Sequence, residues 1–545
     1  MTVVRGSILG YAIGLIVFAF LWTIYQKSRV GKKVFAILVG FVAVFAVFSL
    51  LFHRSSFVQN HSYLKRVTDL SFTSTTVQTR FWAWEAGLKG WSESSKTVFL
   101  GWGPENFKIP FSKNFNPKFF RGPGAETLFD RAHNMFVEVL VTMGIVGFLT
   151  YINLFVALFI SLRKLIKDKG FIVYGVGLTA SIVAYISHNA FIFDAAANFI
   201  VFFTVIGFVS YLGLPSTTFV PKVVLGLESK EETNVAPRRI IENKFIVNII
   251  GAILTILTPL LIYKTNILPA KANYATTKAV VRTWQKDFNG AFEKFKDSLS
   301  YDAPGKYEYR HRFAQYLEDV GAPSIREEGV REAYEFAIAE VEKNAKENPM
   351  DYLPHLYLSR LNIMLGQYDP KSPYNDIALK HSMKALEIAP KFVRTYYEVA
   401  QAYFYKKDFR HTIEFFQKAV DLNPDTGISH AYLGAAKIES GDLSGAKDLE
   451  RAMTSKNPYM PRKADFQRLV NAYLKINDFS RIAWIYEEMI KEDPNDPQRY
   501  ALLATAYANL GRIDDAVIMA RKAVQVDPSF ELKARVFLKS LGREL

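Results

Sequence analysis

The residues best equipped for chemistry stand between residues 53 and 134, in three short runs. The first reads Arg80-Phe-Trp-Ala-Trp-Glu-Ala-Gly87, the second Phe99-Leu-Gly-Trp-Gly-Pro-Glu-Asn-Phe107, and the third Asp130-Arg-Ala-His-Asn134. Together with Arg121 they supply an imidazole, three guanidinium groups and two side-chain amides. A neutral imidazole accepts a proton near pH 7, and a guanidinium holds an oxyanion at two points. Other chemistries drop out. The chain has no cysteine, which excludes disulfides, thiol catalysis and Cys-ligated zinc. It has no GxxxxGK[ST] or GxGxxG for phosphates, and no HExxH or DxD, so a metal site has no support. Gly101, Gly103 and Pro104 suit a tight turn, and Trp82, Trp84 and Trp91 suit a helix at the lipid headgroups. Trp82 and Trp84 read more readily as interface anchors than as platforms for sugars.

The elements around these runs are apolar. The 545-residue chain has 44 Phe and 28 Tyr, more than soluble proteins carry. Six stretches are long enough to span a bilayer: 8–25, 34–52, 139–162, 171–193, 195–214 and 245–263. The net charge of +15 gathers in basic loops beside these stretches, which argues against nucleic acid. Lys27, Arg29, Lys32 and Lys33 follow the first span. Arg163, Lys164, Lys167 and Lys169 follow the third, and Arg238, Arg239 and Lys244 precede the sixth. Basic loops stay in the cytoplasm, so the loop 53–134 and everything after Tyr263 are expected outside. A transmembrane domain over 1–263 then precedes an extracytoplasmic domain over 264–545.

That second part is repetitive. Pro390, Pro424, Pro458, Pro494 and Pro528 recur at spacings of 34, 34, 36 and 34, the tetratricopeptide period. In the last unit Ala504, Ala516 and Ala523 let paired helices approach, while Tyr500, Leu503 and Tyr507 fill the space between units. A weaker unit ends at Pro349, and Asp369–Asn375 lengthens the next. The expected fold is all-α: a polytopic membrane helix bundle followed by a tetratricopeptide-type α-solenoid. Such arrays present concave docking surfaces.

His133-Asn134, nine residues, then Gly144-Ile-Val-Gly147 resembles the H-[NSQ]-x9-G-x-x-G pattern of the O-antigen ligase and polymerase family. The Arg80 and Phe99 runs look like that family too, and members with a C-terminal tetratricopeptide array occur. The resemblance covers roughly residues 79–162. It implies a metal-independent glycosyltransferase of the cytoplasmic membrane that uses no cofactor. Its donor would be a glycan on a polyprenyl pyrophosphate such as undecaprenyl pyrophosphate, its acceptor a lipid, protein or glycan. On this resemblance His133 is the general base or orients the acceptor, and Arg80 binds the donor pyrophosphate. Arg131, and after it Arg121, supplies a second cation, and Asn134 orients the histidine or the acceptor. Gly144 and Gly147 allow close helix packing.

Plainer readings stand beside these. A histidine next to a span also sits at headgroup level or caps a helix. His188, with Asn189 and Asp194, either lines the site or forms a satisfied helix-end cluster. Family members carry more than six spans, so the chain is expected to be a shortened version or a piece. The alternative function is a non-catalytic membrane scaffold that presents the repeats to protein partners.

Overall fold

Apolar runs flanked by basic residues become long helices. The computed structural model describes residues 5–52, 55–61, 63, 68, 75–122, 127–213, 244–319, 328–459 and 463–545, and every regular element among them is helical. Arg238 and Arg239, used above to orient the chain, lie outside the described residues. Two compact units result. One comprises Met1–Asn116, Leu128–Thr277 and Asp297–Gly305; the other comprises Pro117–Thr127, Lys278–Lys296 and Lys306–Leu545.

In the first unit α1 (Arg5–Gln26) and α2 (Arg29–Phe52) are followed by a single helical turn at Ser56–Asn60 and by the shorter helices α3 (Thr75–Trp91), α4 (Ser95–Leu100) and α5 (Lys108–Lys113). Then come α6 (Met135–Lys167), α7 (Ile172–Asn189), α8 (Ala196–Leu212) and α9 (Lys244–Ile262). The last runs on through a π-helical turn at Tyr263–Ile267 into α10 (Leu268–Trp284). Among the described residues, four segments are long and apolar enough to cross a membrane: Gly6–Gln26, Arg29–Ser49, Met135–Lys167 and Asn248–Trp284; Ala196–Leu212 is apolar but shorter. Exposed side chains such as Ile37, Phe41 and Val44 would meet lipid there, as the apolar faces of spans do.

Without a hydrophobic drive between helices in lipid, close backbone approach has to hold them, and glycine permits it. Gly6, Gly10 and Gly14 form one ridge of α1 against α7. A methyl group on Gly10 would stand 2.7 Å from the Ala184 carbonyl oxygen, and one on Gly14 would stand 2.8 Å from Ala184 Cβ. Phe155, Leu158, Leu162, Ile182, Phe202 and Val209 form the core between α6, α7 and α8.

The second unit is made of helix pairs that run on from Lys306–Asp319 to Glu531–Ser540, preceded by most of Phe288–Ser300. Pro390, Pro424, Pro494 and Pro528 each come just after a helix end (Ile388, Leu422, Glu492, Val526), where a residue without an N–H cannot continue the ladder. Ala504, Ala516 and Ala523 are fully buried between the last helices. The lengthened turn is stitched by Asn375, whose Nδ2 donates to the carbonyls of Gly366 and Asp369. Arginines tie successive pairs: buried Arg310 to Glu340 and Glu347, and part-buried Arg360 to Glu318 and Glu398. This unit also contains Pro117–Thr127, a segment from the stretch between α2 and α6. Asn423 Nδ2 donates to the carbonyls of Pro117 (2.9 Å) and Phe120 (2.8 Å), and Thr426 Oγ1 donates to that of Phe120 (2.8 Å).

Candidate functional site

The site begins with how α6 starts. Asn134 is its N-cap: Oδ1 accepts from the amides of Phe136 (2.9 Å) and Val137 (3.1 Å), two of the donors a helix start leaves unpaired. Glu138 stands in the first turn, buried, where a carboxylate suits the positive end of the helix. Its Oε2 accepts from the Ala132 amide at 2.7 Å. The Ala132 carbonyl in turn accepts from Trp84 Nε1 of α3 at 2.6 Å. Ala132 is thus tied at both polar atoms, and Asn134 is fixed by capping.

Between these anchors sits His133, with φ +52°. A non-glycine residue in the left-handed region costs roughly 1–2 kcal/mol and persists where its surroundings impose it. Its Nδ1 lies 3.2 Å from the Arg131 carbonyl oxygen. Since a carbonyl only accepts, Nδ1 carries the hydrogen and Nε2 is left as the basic nitrogen. The rings of Phe129 (5.3 Å) and Phe193 (5.1 Å) flank the imidazole. The Arg131 guanidinium lies 5.0 Å from the Phe193 ring centre, and its Nη2 donates to Glu105 at 2.6 Å. Glu105 is mostly exposed, so this is a surface pair of small worth that an anionic ligand could replace.

The glycine pattern does more than the packing expected of it. Gly144 lets the end of α4 approach α6, and it also breaks α6, with φ +66° and ψ −172°. The break strands the carbonyls of Val141 and Thr142, and the run after α4 supplies their donors: the Trp102 amide to Val141 (3.1 Å) and the Gly103 amide to Thr142 (2.7 Å). The two chains cross backbone to backbone. A Cβ on Gly144 would lie 2.3 Å from the Phe99 carbonyl oxygen, and one on Gly101 (φ +71°) 2.3 Å from the Thr142 carbonyl carbon. A Cβ on Gly147 would instead meet Met143 Cβ, one turn back on the same helix. The indoles complete the assembly, Trp91 Nε1 donating to the Val98 carbonyl and Trp102 Nε1 to that of Gly90. Trp84, Trp91 and Trp102 therefore direct their N–H groups into the protein. The three sequence runs are one packed body.

Of the residues expected at the site, His133, Arg131 and Asn134 lie together. Arg80 is half-buried on α3, four residues before Trp84 and hence on the same face. Arg121 follows Phe120 in the segment that belongs to the repeat unit. His188 is engaged elsewhere, its Nδ1 lying 3.2 Å from Ser7 Oγ of α1. Asn189 and Asp194 are buried in a helix-end cluster in which Tyr185 Oη and Asn189 Nδ2 both donate to Asp194 Oδ2. Among the described residues no group of three His, Cys, Asp or Glu side chains could hold a metal ion. Sequence reasoning missed Glu138, Glu105 and Phe193. Glu138 had a signal, being the lone acid in the opening turns of an apolar run.

Helices long enough to span a bilayer and a helical-repeat array define a class: membrane proteins with a helical-repeat domain. Comparison with known proteins narrows it. Residues 1–152 match the family model described as O-antigen ligase, and residues 393–426 and 497–530 match the tetratricopeptide repeat. These matches support an O-antigen ligase-like region followed by tetratricopeptide repeats. The first match suggests an O-antigen ligase-type function and the second a repeat scaffold. Among curated proteins, Hsp70-Hsp90 organizing protein 3 of Arabidopsis thaliana is 30% identical over 127 residues, which is 23% of this chain and 20% of that protein. Hsp70-Hsp90 organizing protein 1 of Glycine max is 29% identical over the same extent. The chain spans about a fifth of the length of these relatives. Among solved structures, MamA from Desulfovibrio magneticus RS-1 is 21% identical with a TM-score of 0.26, covering 34% of this chain and 98% of that one. YrrB, described as a TPR protein with an unusual peptide-binding site, is 18% identical with a TM-score of 0.25, covering 34% and 92%.

Proposed function

We propose that the protein transfers a glycan from a polyprenyl-pyrophosphate donor to a lipid, protein or glycan acceptor on the outer side of the cytoplasmic membrane. In this reading the acceptor hydroxyl attacks the anomeric carbon and its proton passes to His133 Nε2. The bond from that carbon to the pyrophosphate oxygen breaks, and the pyrophosphate departs on its lipid. Charge grows on the leaving group, and guanidinium groups stabilise it in place of a metal. Arg131 is suited to this because its partner Glu105 is exposed and exchangeable. Arg80 is the second cation, on the face of α3 that carries Trp84. The basic loops at Lys27–Lys33 and Arg163–Lys169 support the outward placement, since short basic loops stay in the cytoplasm.

One observation carries the reading: His133 is held in a costly backbone conformation between two anchored neighbours, with Nδ1 committed and Nε2 basic. A mere anchor has no use for that cost. The test is surface-glycan analysis in a host whose glycan depends on this gene. His133→Ala is expected to lower transfer by roughly 10²–10⁴-fold, the range for losing a general base. Arg80→Ala and Arg131→Ala should each lower it too, with protein levels in the membrane unchanged. Normal transfer in both the His133 and Arg80 variants would remove the catalytic reading and leave the scaffold.

A further inference from the structure

We propose that α4 is a re-entrant element whose end, Phe99-Leu100, is immersed in the bilayer leaflet opposite Arg163 and Lys164 and touches lipid acyl chains. The inference rests on α6 being a span and is independent of the transfer chemistry proposed above.

The crossing with α6 sets the depth of α4. A Cβ on Gly144 would stand 2.3 Å from the Phe99 carbonyl oxygen and 2.5 Å from the Leu100 amide nitrogen, so both residues lie level with Gly144. Arg163 follows Gly144 by 19 residues. At about 1.5 Å per residue that is about 28 Å of helix, against about 30 Å of hydrocarbon. Arg163 and Lys164 hold their charges at one face of the hydrocarbon, and Gly144 then stands just inside the other. Phe99 and Leu100 reach that depth with it.

What they present there is apolar and open. Phe99 is 56% exposed and Leu100 62%. On α6 itself Met143, Val146 and Leu149 are exposed too, so the two side chains extend an apolar surface that a span turns to lipid. The polar residues stand at the other end of α4, where Ser92, Glu93, Ser94, Ser95 and Lys96 are all exposed. After Leu100 the chain turns back at Gly101 (φ +71°) and soon reaches exposed Glu105. The profile polar, apolar, polar is that of a segment that dips into a leaflet and leaves on the same side.

The backbone agrees independently. Irregular chain persists at hydrocarbon depth only where the protein supplies its hydrogen-bond partners. Here the Thr97 carbonyl accepts from the Gly101 amide at 2.9 Å, and that of Val98 from Trp91 Nε1 at 3.1 Å. The Val141 and Thr142 carbonyls, freed by the break in α6, accept from Trp102 and Gly103. The Thr97 amide donates to Ser94 Oγ at 3.1 Å. A turn lying in water has no need of so complete a set.

The chain has no cysteine, so a nitroxide label can be placed at one position without background. Phe99→Cys and Leu100→Cys are labelled in the full-length protein in phosphatidylcholine vesicles. Val146→Cys is the lipid reference and Ser95→Cys the water reference. All four side chains are exposed, so the label displaces no packing. Collision with oxygen, which concentrates in hydrocarbon, is compared with collision with a neutral nickel chelate, which stays in water. The oxygen-to-nickel ratio at positions 99 and 100 should exceed that at 95 by roughly fivefold or more, and should match that at 146 within about twofold. A ratio at either position equal to that at 95 would overturn the proposal. So would low collision with both reagents, since a protein surface would then cover the patch. A ratio that rises only after a polyprenyl phosphate is added would overturn it as well, because the occupant would then be that lipid's tail and not the bilayer.

Discussion

Trp84, Glu138 and Asn134 never need touch a substrate to matter; they fix the backbone on which His133 stands. Glu138→Gln keeps an oxygen for the Ala132 amide and should retain most activity. Glu138→Ala removes it and leaves a buried amide unpaired, at a cost of about 1–3 kcal/mol. Rates for the two variants, normalised to membrane protein, should therefore separate by roughly tenfold. Equal rates would show that the turn does not depend on that bond. Glu138 illustrates what composition hides. A single acid heading an apolar run flags itself but not its partner, since the Ala132 amide belongs to a residue with no polar side chain. The histidine was legible because its motif surrounds it; its left-handed backbone was not, since that follows from contacts with α3.

Among elements, the break in α6 decides most. Gly144 has no proline beside it, and by spacing alone Gly144 and Gly147 read as a helix-packing pair. The run Phe99–Phe107 is what gives Gly144 its meaning, because its amides take over the freed carbonyls. Gly144→Ala sets a methyl 2.3 Å from the Phe99 carbonyl oxygen at a positive φ, and Gly101→Ala does the same against Thr142. Each should cost roughly 2–4 kcal/mol, enough to lower the melting temperature of the detergent-solubilised protein by several degrees. Gly147→Ala meets only a side chain and should be milder. Equal melting temperatures for the Gly144 and Gly147 variants would contradict the crossing. The spans and repeats were legible for a different reason. Long apolar runs and a 34-residue period are collective signals that survive local irregularity, whereas a backbone crossing depends on two glycines 43 residues apart.

Across the whole molecule, acid should act on the repeats. His355 and His381 share one hydrogen between their Nδ1 atoms at 3.0 Å, so the pair is stable when neutral. Burial, then the neighbouring His355, pushes His381 down to about 4, and burial with Lys384 lowers His355 against the opposing pull of Asp351 and Glu387. An unfolded histidine titrates near about 6.5. The folded value is lower, so the unfolded chain takes up the proton first, and stability is lost as pH falls from about 6.5 towards 4. Unfolding of the repeats followed by circular dichroism should show a loss of roughly 2 kcal/mol over that window. His381→Asn should flatten it. A variant with the same slope as the parent would place the acid sensitivity elsewhere.

The grip of Asn423 on Pro117 spans 306 residues of sequence. A ribosome adding about 5–20 residues per second needs between about 15 and 60 s to make that length. For that interval the Phe120 ring has no partner to cover it, although the apolar segments around it are already available to the membrane. Biogenesis thus has a fixed order, in which the earliest-made loop is among the last parts to mature. Its exposed phenylalanine marks the chain as unfinished until the helix ending at Leu422 has been made and folded.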